Sequence, residues 1–164
     1  MSHLHVSWDE YHRLIESLAI EVRDSSWEFD VVLGLARGGL RVADVMSRLF
    51  DKPMAVLAAS SYREGGGTVQ GVLKISSSIA LVEARLGPRV LVVDDLADTG
   101  KTLAAVVEHV KSQYPGVEDL RTAVLWTKSH SAFRPDYTAV ELPGNPWIHQ
   151  PFERYDTLGP GDLG

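Results

Sequence analysis

The sequence contains no cysteine among its 164 residues. This absence excludes a disulfide-stapled scaffold and a zinc site built on thiolates, and it favours a reducing compartment. No apolar run approaches the roughly 20 residues that a membrane-spanning helix needs, and the first residues show no signal-peptide pattern. We therefore expect a cytoplasmic protein that does not insert into a membrane. The six histidines show no spacing typical of metal ligands.

Positive charge is also scarce, because 16 lysines and arginines face 22 acidic residues and leave a net charge of −6. An acidic chain argues against a nucleic-acid surface, where a basic patch is expected. It does not exclude anionic substrates, since helix dipoles, single arginines and bound Mg²⁺ act locally. The length and the 45% hydrophobic content predict one globular domain over residues 1–164, without an internal repeat or a linker.

The most informative segment, at positions 90–102, reads VLVVDDLADTGKT. Its first four residues are apolar and mostly β-branched, which is typical of a buried strand in a parallel sheet. Asp94 and Asp95 follow where the strand should leave the core, and a turn at 98–102 leads directly into an apolar helix pattern. The N-terminus of a helix offers unpaired N–H groups to an anion. We predict a phosphate site at the turn and a cation or polyol site at the two carboxylates.

Two other interpretations of this segment are weaker. Gly100-Lys101-Thr102 resembles the end of a P-loop, which needs a glycine five residues before its second glycine, but Asp95 stands at that position. An ordinary joint between a strand and a helix is also disfavoured. Asp94, Asp95 and Asp98 would repel one another there unless a cation or a hydroxylated ligand bound.

The same design of strand, glycine turn and helix occurs earlier in the chain. A buried strand is predicted at 31–36, and it is followed by Arg37, Gly38 and Gly39 and then by a helix pattern. The N–H groups of both glycines and the fork of Arg37 suit an anion. Taken alone, these residues fit an anion site or a plain turn.

The remaining pattern indicates an α/β fold with a mostly parallel sheet flanked by helices. Ser7 and Glu10 form a predicted capping box for the first helix. The apolar spacing predicts helices at 8–23 and 101–113, and strands at 53–59, 69–77 (antiparallel), 121–126 and 137–142 (at an edge). Residues 145–153 show neither helical nor strand periodicity. Within them, Trp147 either packs under the sheet edge or forms a stacking platform.

These motifs together resemble type I phosphoribosyltransferases, and in particular the xanthine–guanine and related 6-oxopurine enzymes, over about residues 7–153. The resemblance implies that Asp94 and Asp95 face the ribose of phosphoribosyl pyrophosphate (PRPP), directly or through Mg²⁺, and that Asp98 lies near N7 of a purine. It also implies a cradle for the 5′-phosphate made by Asp98, Thr99, Gly100, Lys101 and Thr102.

The resemblance extends to the pyrophosphate and base sites. It implies a pyrophosphate loop of Arg37, Gly38 and Gly39, in which the peptide before Arg37 is often cis. It implies that Lys128 donates to O6 of the purine and that Trp147 stacks on the ring. It also implies that the main chain at Ile148 reads the purine 2-position. Bacterial relatives have glutamate where this chain has His149, which leaves the preferred base open.

A flexible lid over about residues 60–78 is also implied, with Ser61, Tyr62, Arg63 and Lys74 as its candidate residues. The bacterial xanthine–guanine relatives usually carry a further arginine in the second half of the lid, where this chain has Gln70 and Gly71. Arg63 and Lys74 are the candidates to replace it.

The implied fold is that of type I phosphoribosyltransferases, with a small C-terminal hood over about residues 143–156. The implied activity is transfer of 5-phosphoribosyl from PRPP to N9 of guanine, xanthine or hypoxanthine, with Mg²⁺ as cofactor and a homodimer or homotetramer as the assembly. Two alternatives remain: a non-catalytic regulator that senses PRPP or a nucleotide, and a phosphoribosyltransferase for another nucleobase.

Overall fold

The structure is a computed structural model that describes residues 2–61, 71–83 and 85–164. Three helices and eight strands lie within these ranges, followed by two 3₁₀ turns at Glu153–Asp156 and Pro160–Asp162. In chain order the elements are β1 (His3–His5), α1 (Trp8–Asp24), β2 (Val31–Ala36), α2 (Leu40–Phe50), β3 (Met54–Ser61), β4 (Leu73–Ile75), β5 (Arg89–Ala97), α3 (Lys101–Gln113), β6 (Asp119–Lys128), β7 (Tyr137–Leu142) and β8 (Trp147–His149).

The main sheet has the strand order β4-β3-β2-β5-β6-β7. All neighbouring pairs in it are parallel except β3 and β4, which are antiparallel. This agrees with the predicted mostly parallel sheet and with the predicted edge position of β7. The antiparallel return predicted at 69–77 is present as β4, which is shorter than expected.

Helices cover both faces of the sheet. On one face, α1 and α2 pack against a core that includes Ile15, Leu18 and Met46. On the other face, α3 contributes Leu103, Val106 and Val110 to a second core. Because both faces are covered, residues 90–93 of the central strand are completely buried, as expected for a strand of a parallel sheet. None of the helices in the described ranges is long and apolar enough to cross a membrane.

The order in which the chain adds strands to the sheet reverses between the parallel neighbours β2 and β5. From β2 the chain passes through α2 to β3 on one side, whereas from β5 it passes through α3 to β6 on the other side. The loops that leave β2 and β5 therefore diverge, and they open a crevice at the carboxyl ends of the strands. Ligands of open α/β sheets bind in this kind of crevice.

A second, two-stranded sheet joins the beginning of the chain to the tail. β1 pairs in parallel with β8, and the register aligns His3 with Trp147 and His5 with His149. Residues 145–153 thus contain a strand although they show no strand periodicity. A three-residue strand is too short to show a period, and its partner lies at the opposite end of the sequence.

Candidate active site

The acidic pair lies where β5 passes out of the core. The backbone N–H of Asp95 donates to Oδ1 of Asp94 at 2.9 Å, and both side chains are half-buried. Burial, and secondarily the charge of Asp95, raises the pKa of Asp94 well above its usual value. Two crowded carboxylates at one strand end favour a ligand that brings positive charge or hydroxyl donors.

The loop after β2 packs directly onto this pair. A Cβ atom placed on Gly38 would lie 2.6 Å from Oδ1 of Asp95, and one on Gly39 would collide with the carbonyl oxygen of Val93. The peptide between Ala36 and Arg37 is cis, as the resemblance implied. Only glycine fits this close approach, so the structure brings the predicted pyrophosphate loop and the acidic pair together.

Arg37 points into solvent from this loop. Its side chain is 90% exposed, and its Nη2 lies 3.8 Å from Oδ1 of Asp156 in the first 3₁₀ turn. An exposed ion pair of this length contributes little to stability. The guanidinium can therefore leave Asp156 at little energetic cost and bind an anion that enters the crevice.

The N-termini of α2 and α3 both open toward this crevice. Both helices have glycine at the N-cap, Gly39 and Gly100, which offers no capping side chain, whereas Ser7 and Glu10 form the predicted capping box of α1. Gly100, which precedes α3, has φ +79°, and a Cβ there would lie 2.6 Å from Oγ of Ser131. Both the positive φ angle and the lack of room for a Cβ atom require glycine at this position. The N–H of Lys101 donates to Oγ1 of Thr99 at 3.4 Å. The next N–H groups of the first turn, together with the hydroxyl of Thr99, suit a phosphate.

The side chains predicted to bind the base lie on the other side of the acidic pair. Lys128 is the last residue of β6 and is only 5% exposed. Its ammonium donates to Oδ1 of Asn145 at 2.7 Å and lies 3.4 Å from Oδ1 of Asp98. An ammonium has three N–H donors, so one remains for a ligand. Trp147 is 47% exposed, which excludes packing under the sheet edge, while Ile148 is buried.

Three further residues of the site were not predicted. His130 places Nε2 2.9 Å from Oδ1 of Asp98, Asn145 accepts from Lys128, and Gln150 donates to Oδ2 of Asp95 at 2.6 Å. A histidine, an asparagine or a glutamine in a loop does not by itself indicate a functional site. All three lie within three residues of a predicted site residue, and this proximity in the sequence is the signal that could have found them.

Only part of the predicted lid lies in the described ranges. Tyr62 and Arg63 lie outside the described residues. Ser61 and Lys74 lie on β3 and β4, where Ser61 aligns with Leu73 and Lys74 with Ser60. β4 is three strand positions from β5, which is roughly 14 Å at the usual strand spacing.

The donor set of the acidic pair fits Mg²⁺ with help from a substrate. Carboxylate oxygens are the hard ligands that Mg²⁺ prefers, and this ion commonly uses one or two carboxylates together with waters and substrate phosphates. Within the described ranges, no cluster of three histidine or acidic residues could hold an ion by itself. Asp94 and Asp95 therefore fit an ion that is shared with a bound phosphate ester.

Comparison with known proteins agrees with this geometry. Residues 7–157 match the phosphoribosyl transferase domain family. A xanthine-guanine phosphoribosyltransferase of Roseobacter denitrificans is 28% identical, over 91% of this chain and 84% of that protein.

Two solved structures are also similar to this chain. A purine phosphoribosyltransferase from Pyrococcus horikoshii has a TM-score of 0.75 at 32% identity, matching 93% of this chain and 94% of its own. The xanthine-guanine-hypoxanthine phosphoribosyltransferase of Helicobacter pylori has a TM-score of 0.74 at 25% identity, matching 92% and 94%. The fold, the crevice and these matches lead to one assignment: the chain belongs to the phosphoribosyltransferase family, and it is a type I transferase that resembles the xanthine, guanine and hypoxanthine enzymes.

Proposed function

We propose that this protein transfers the 5-phosphoribosyl group of PRPP to N9 of a 6-oxopurine and releases pyrophosphate. The observation that carries the proposal is Lys128, a buried side chain with donors only, which lies beside an acceptor, Asp98, and donates to Asn145, two residues before the exposed Trp147. A 6-oxopurine in its N7-protonated form presents the matching acceptor at O6 and the matching donor at N7. The indole supplies a face on which a purine stacks.

The phosphoribosyl half of the substrate is assigned to the crevice between β2 and β5. Residues 98–102 and the open N-terminus of α3 hold the 5′-phosphate, and Arg37, Gly38 and Gly39 face the pyrophosphate. Asp94 and Asp95 accept hydrogen bonds from the ribose hydroxyls. Mg²⁺ bound at this pair and at the pyrophosphate would supply positive charge beside the leaving group.

The reaction breaks the bond between C1′ and the pyrophosphate oxygen and forms the bond between C1′ and N9. The bonding electrons leave with the pyrophosphate, and glycosyl chemistry of this kind passes through an oxocarbenium-like state. The purine loses its N7 proton, which Asp98 accepts or holds in a hydrogen bond. The protein contributes mainly by positioning the reactants and by electrostatic stabilisation.

The proposal treats residues 1–164 as one domain, with a hood at about 143–156 and a lid at about 60–78. The hydrogen bond from Gln150 to Asp95 supports the hood, because it ties the tail to the crevice. Exclusion of water from a reactive sugar cation is the role proposed for the lid. A homodimer or homotetramer belongs to the same proposal.

Pyrophosphate release tests the proposed function. The purified protein is assayed with PRPP, Mg²⁺ and, in turn, guanine, xanthine, hypoxanthine, adenine, uracil and orotate. Release that depends on one of the three 6-oxopurines, together with formation of its nucleoside 5′-monophosphate, is expected. Release only with a different base would mean another substrate specificity, and PRPP binding without release under any base would favour a non-catalytic sensor.

A further inference from the structure

Gln150 makes a long-range contact with the acidic pair. It follows β8 directly, its side chain is 92% buried (8% exposed), and its Nε2 donates to Oδ2 of Asp95 at 2.6 Å. The two residues are 55 positions apart in the sequence. One hydrogen bond therefore joins the strand that carries Trp147 to the carboxylates that face the proposed ribose site.

Asp95 is confined on its other sides as well. Its carboxylate lies against Gly38, where a Cβ atom would come within 2.7 Å of Oδ2, and its backbone N–H donates to Asp94. The glycine limits where the carboxylate can go, but it does not decide how the group is rotated. The amide of Gln150 binds one specific oxygen and so fixes that rotation.

The main chain around Gln150 is held independently of this bond. Its carbonyl oxygen accepts from the N–H of Glu153 at 3.0 Å, and the carbonyl oxygen of His149 accepts from the N–H of Val6 at 3.0 Å. The side-chain amide is therefore not needed to keep the tail in place. A side chain with another function can occupy this position without loss of the strand pairing.

The oxygen atom of the same amide is not hydrogen-bonded as a buried polar atom usually is. Oε1 of Gln150 is buried and has no hydrogen-bond partner among the described residues. Leaving a buried polar atom unpaired is unfavourable, and an apolar side chain of similar shape would avoid that cost. An amide at this position is thus less favourable for packing than an apolar side chain, but its N–H group can donate to Asp95.

We propose that Gln150 is a positioning residue, which orients the carboxylate of Asp95 toward the ribose hydroxyls and the Mg²⁺ of bound PRPP. This inference rests on the proposed function, because it assigns PRPP to the crevice. A consequence is that the tail contributes to both halves of the substrate: Trp147 contacts the base, and Gln150 acts on the sugar through Asp95.

The test replaces Gln150 by methionine, which has a similar length and shape but no donor, and measures the binding of PRPP with Mg²⁺ by calorimetry in the absence of any base. We expect binding to weaken by roughly tenfold or more, which is typical for the loss of a hydrogen bond to a charged group. Gln113→Met is the matched control. Gln113 is exposed at the end of α3, where its side-chain amide donates to Oγ of Ser112, so its replacement should leave PRPP affinity unchanged.

A double-mutant cycle separates positioning from a general structural effect. If Gln150 acts through Asp95, Gln150→Met should weaken PRPP binding little further in an Asp95→Asn background. An equal loss in both backgrounds would overturn the inference. Gln150→Glu provides a second variant of the same shape, in which repulsion between two carboxylates should weaken binding at least as much as the methionine does.

The outcomes also distinguish this inference from the proposed function. Wild-type protein that binds no PRPP in the presence of Mg²⁺ would contradict the proposed function itself. Wild-type protein that binds PRPP, with Gln150→Met binding it equally well, would overturn the role of Gln150 alone.

Discussion

The ammonium of Lys128 lies 3.4 Å from Oδ1 of Asp98, at the boundary between β6 and the loop before α3. His130 contacts the same oxygen at 2.9 Å, so Oδ2 is left for another partner. A donor group and an acceptor group thus stand side by side where the strand ends meet. In the proposed function, this pairing selects one class of nucleobase over another.

The wild-type protein should use 6-oxopurines and not adenine. The amino group of adenine would present N–H to the N–H of Lys128, and a site built around such a hydrogen bond can reject the wrong partner by about 10⁴-fold or more. Lys128→Ala should lower kcat/KM for 6-oxopurines and so reduce the difference between those values and kcat/KM for adenine. The kcat/KM values for each base measure this, and Lys111→Ala, on the exposed last turn of α3, is the control. Equal turnover of adenine and guanine by the wild type would refute the role of Lys128.

Trp147→Ala should weaken all purines alike, because every purine has a face on which the indole can stack. The loss should be roughly 1–3 kcal/mol per stacked base, seen as a higher KM for the base with the order of preference unchanged. A change in that order would show that Trp147 takes part in selection.

Replacing both Asp94 and Asp95 by Asn should abolish turnover and leave the fold intact. Near-normal activity of the double variant would contradict the assignment of the two carboxylates to the ribose and Mg²⁺ site.

Because burial and the charge of Asp95 raise the pKa of Asp94, the folded state holds the proton of this carboxyl group more tightly than the unfolded state does. Stability of the ligand-free protein therefore falls as pH rises toward that raised pKa. Asp94→Asn alone should raise Tm relative to wild type, by a margin that grows as the pH rises above the unfolded-state pKa of about 4.

Thr99→Val and Thr102→Val should raise the KM for PRPP and leave base preference unchanged, because both side chains face the remote phosphate in the proposed arrangement. Each lost hydrogen bond to a charged phosphate should cost roughly 1.5–3 kcal/mol. Ser112→Ala, at the opposite end of α3, serves as the control. An unchanged KM in both threonine variants would remove residues 98–102 as the phosphate cradle.

Gly100→Ala should destabilise the protein, since φ is +79° and the added methyl group would meet Ser131 and Phe133 at 2.6 Å. The expected cost is about 1–3 kcal/mol, which lowers Tm by about 2–4 °C per kcal/mol in a chain of this size. Gly116→Ala is a matched control, because no atom lies within 4 Å of the added Cβ. Similar Tm values for the two variants would contradict the geometry at Gly100.

The parts of the site that local sequence could predict are those whose residue types are required by their own backbone. Gly38 and Gly100 lie where a side chain would collide with neighbouring atoms, and Asp94 and Asp95 end a strand whose burial is evident from its composition. Capping of α1 by Ser7 and Glu10 is local in the same sense, and all of these were predicted.

The rest depends on contacts between distant positions. The hydrogen bond between Gln150 and Asp95 and the pairing of β1 with β8 join residues that no window of sequence contains together. Asn145 and His130 acquire their roles only once folding brings them to Lys128 and Asp98. A polar residue in a loop has too many possible partners for its own type to identify the right one.

The pairing of β1 with β8 has a practical consequence for how this protein is purified. The carbonyl oxygen of Ser2 accepts a hydrogen bond from the backbone N–H of Trp147 at 2.9 Å, so the first residues of the sequence pair with the main chain that carries the indole. An affinity tag fused ahead of His3 would therefore lie close to Trp147 and to the proposed base site. Apparent selectivity should be compared before and after tag cleavage, because the fusion itself can mimic a change of specificity.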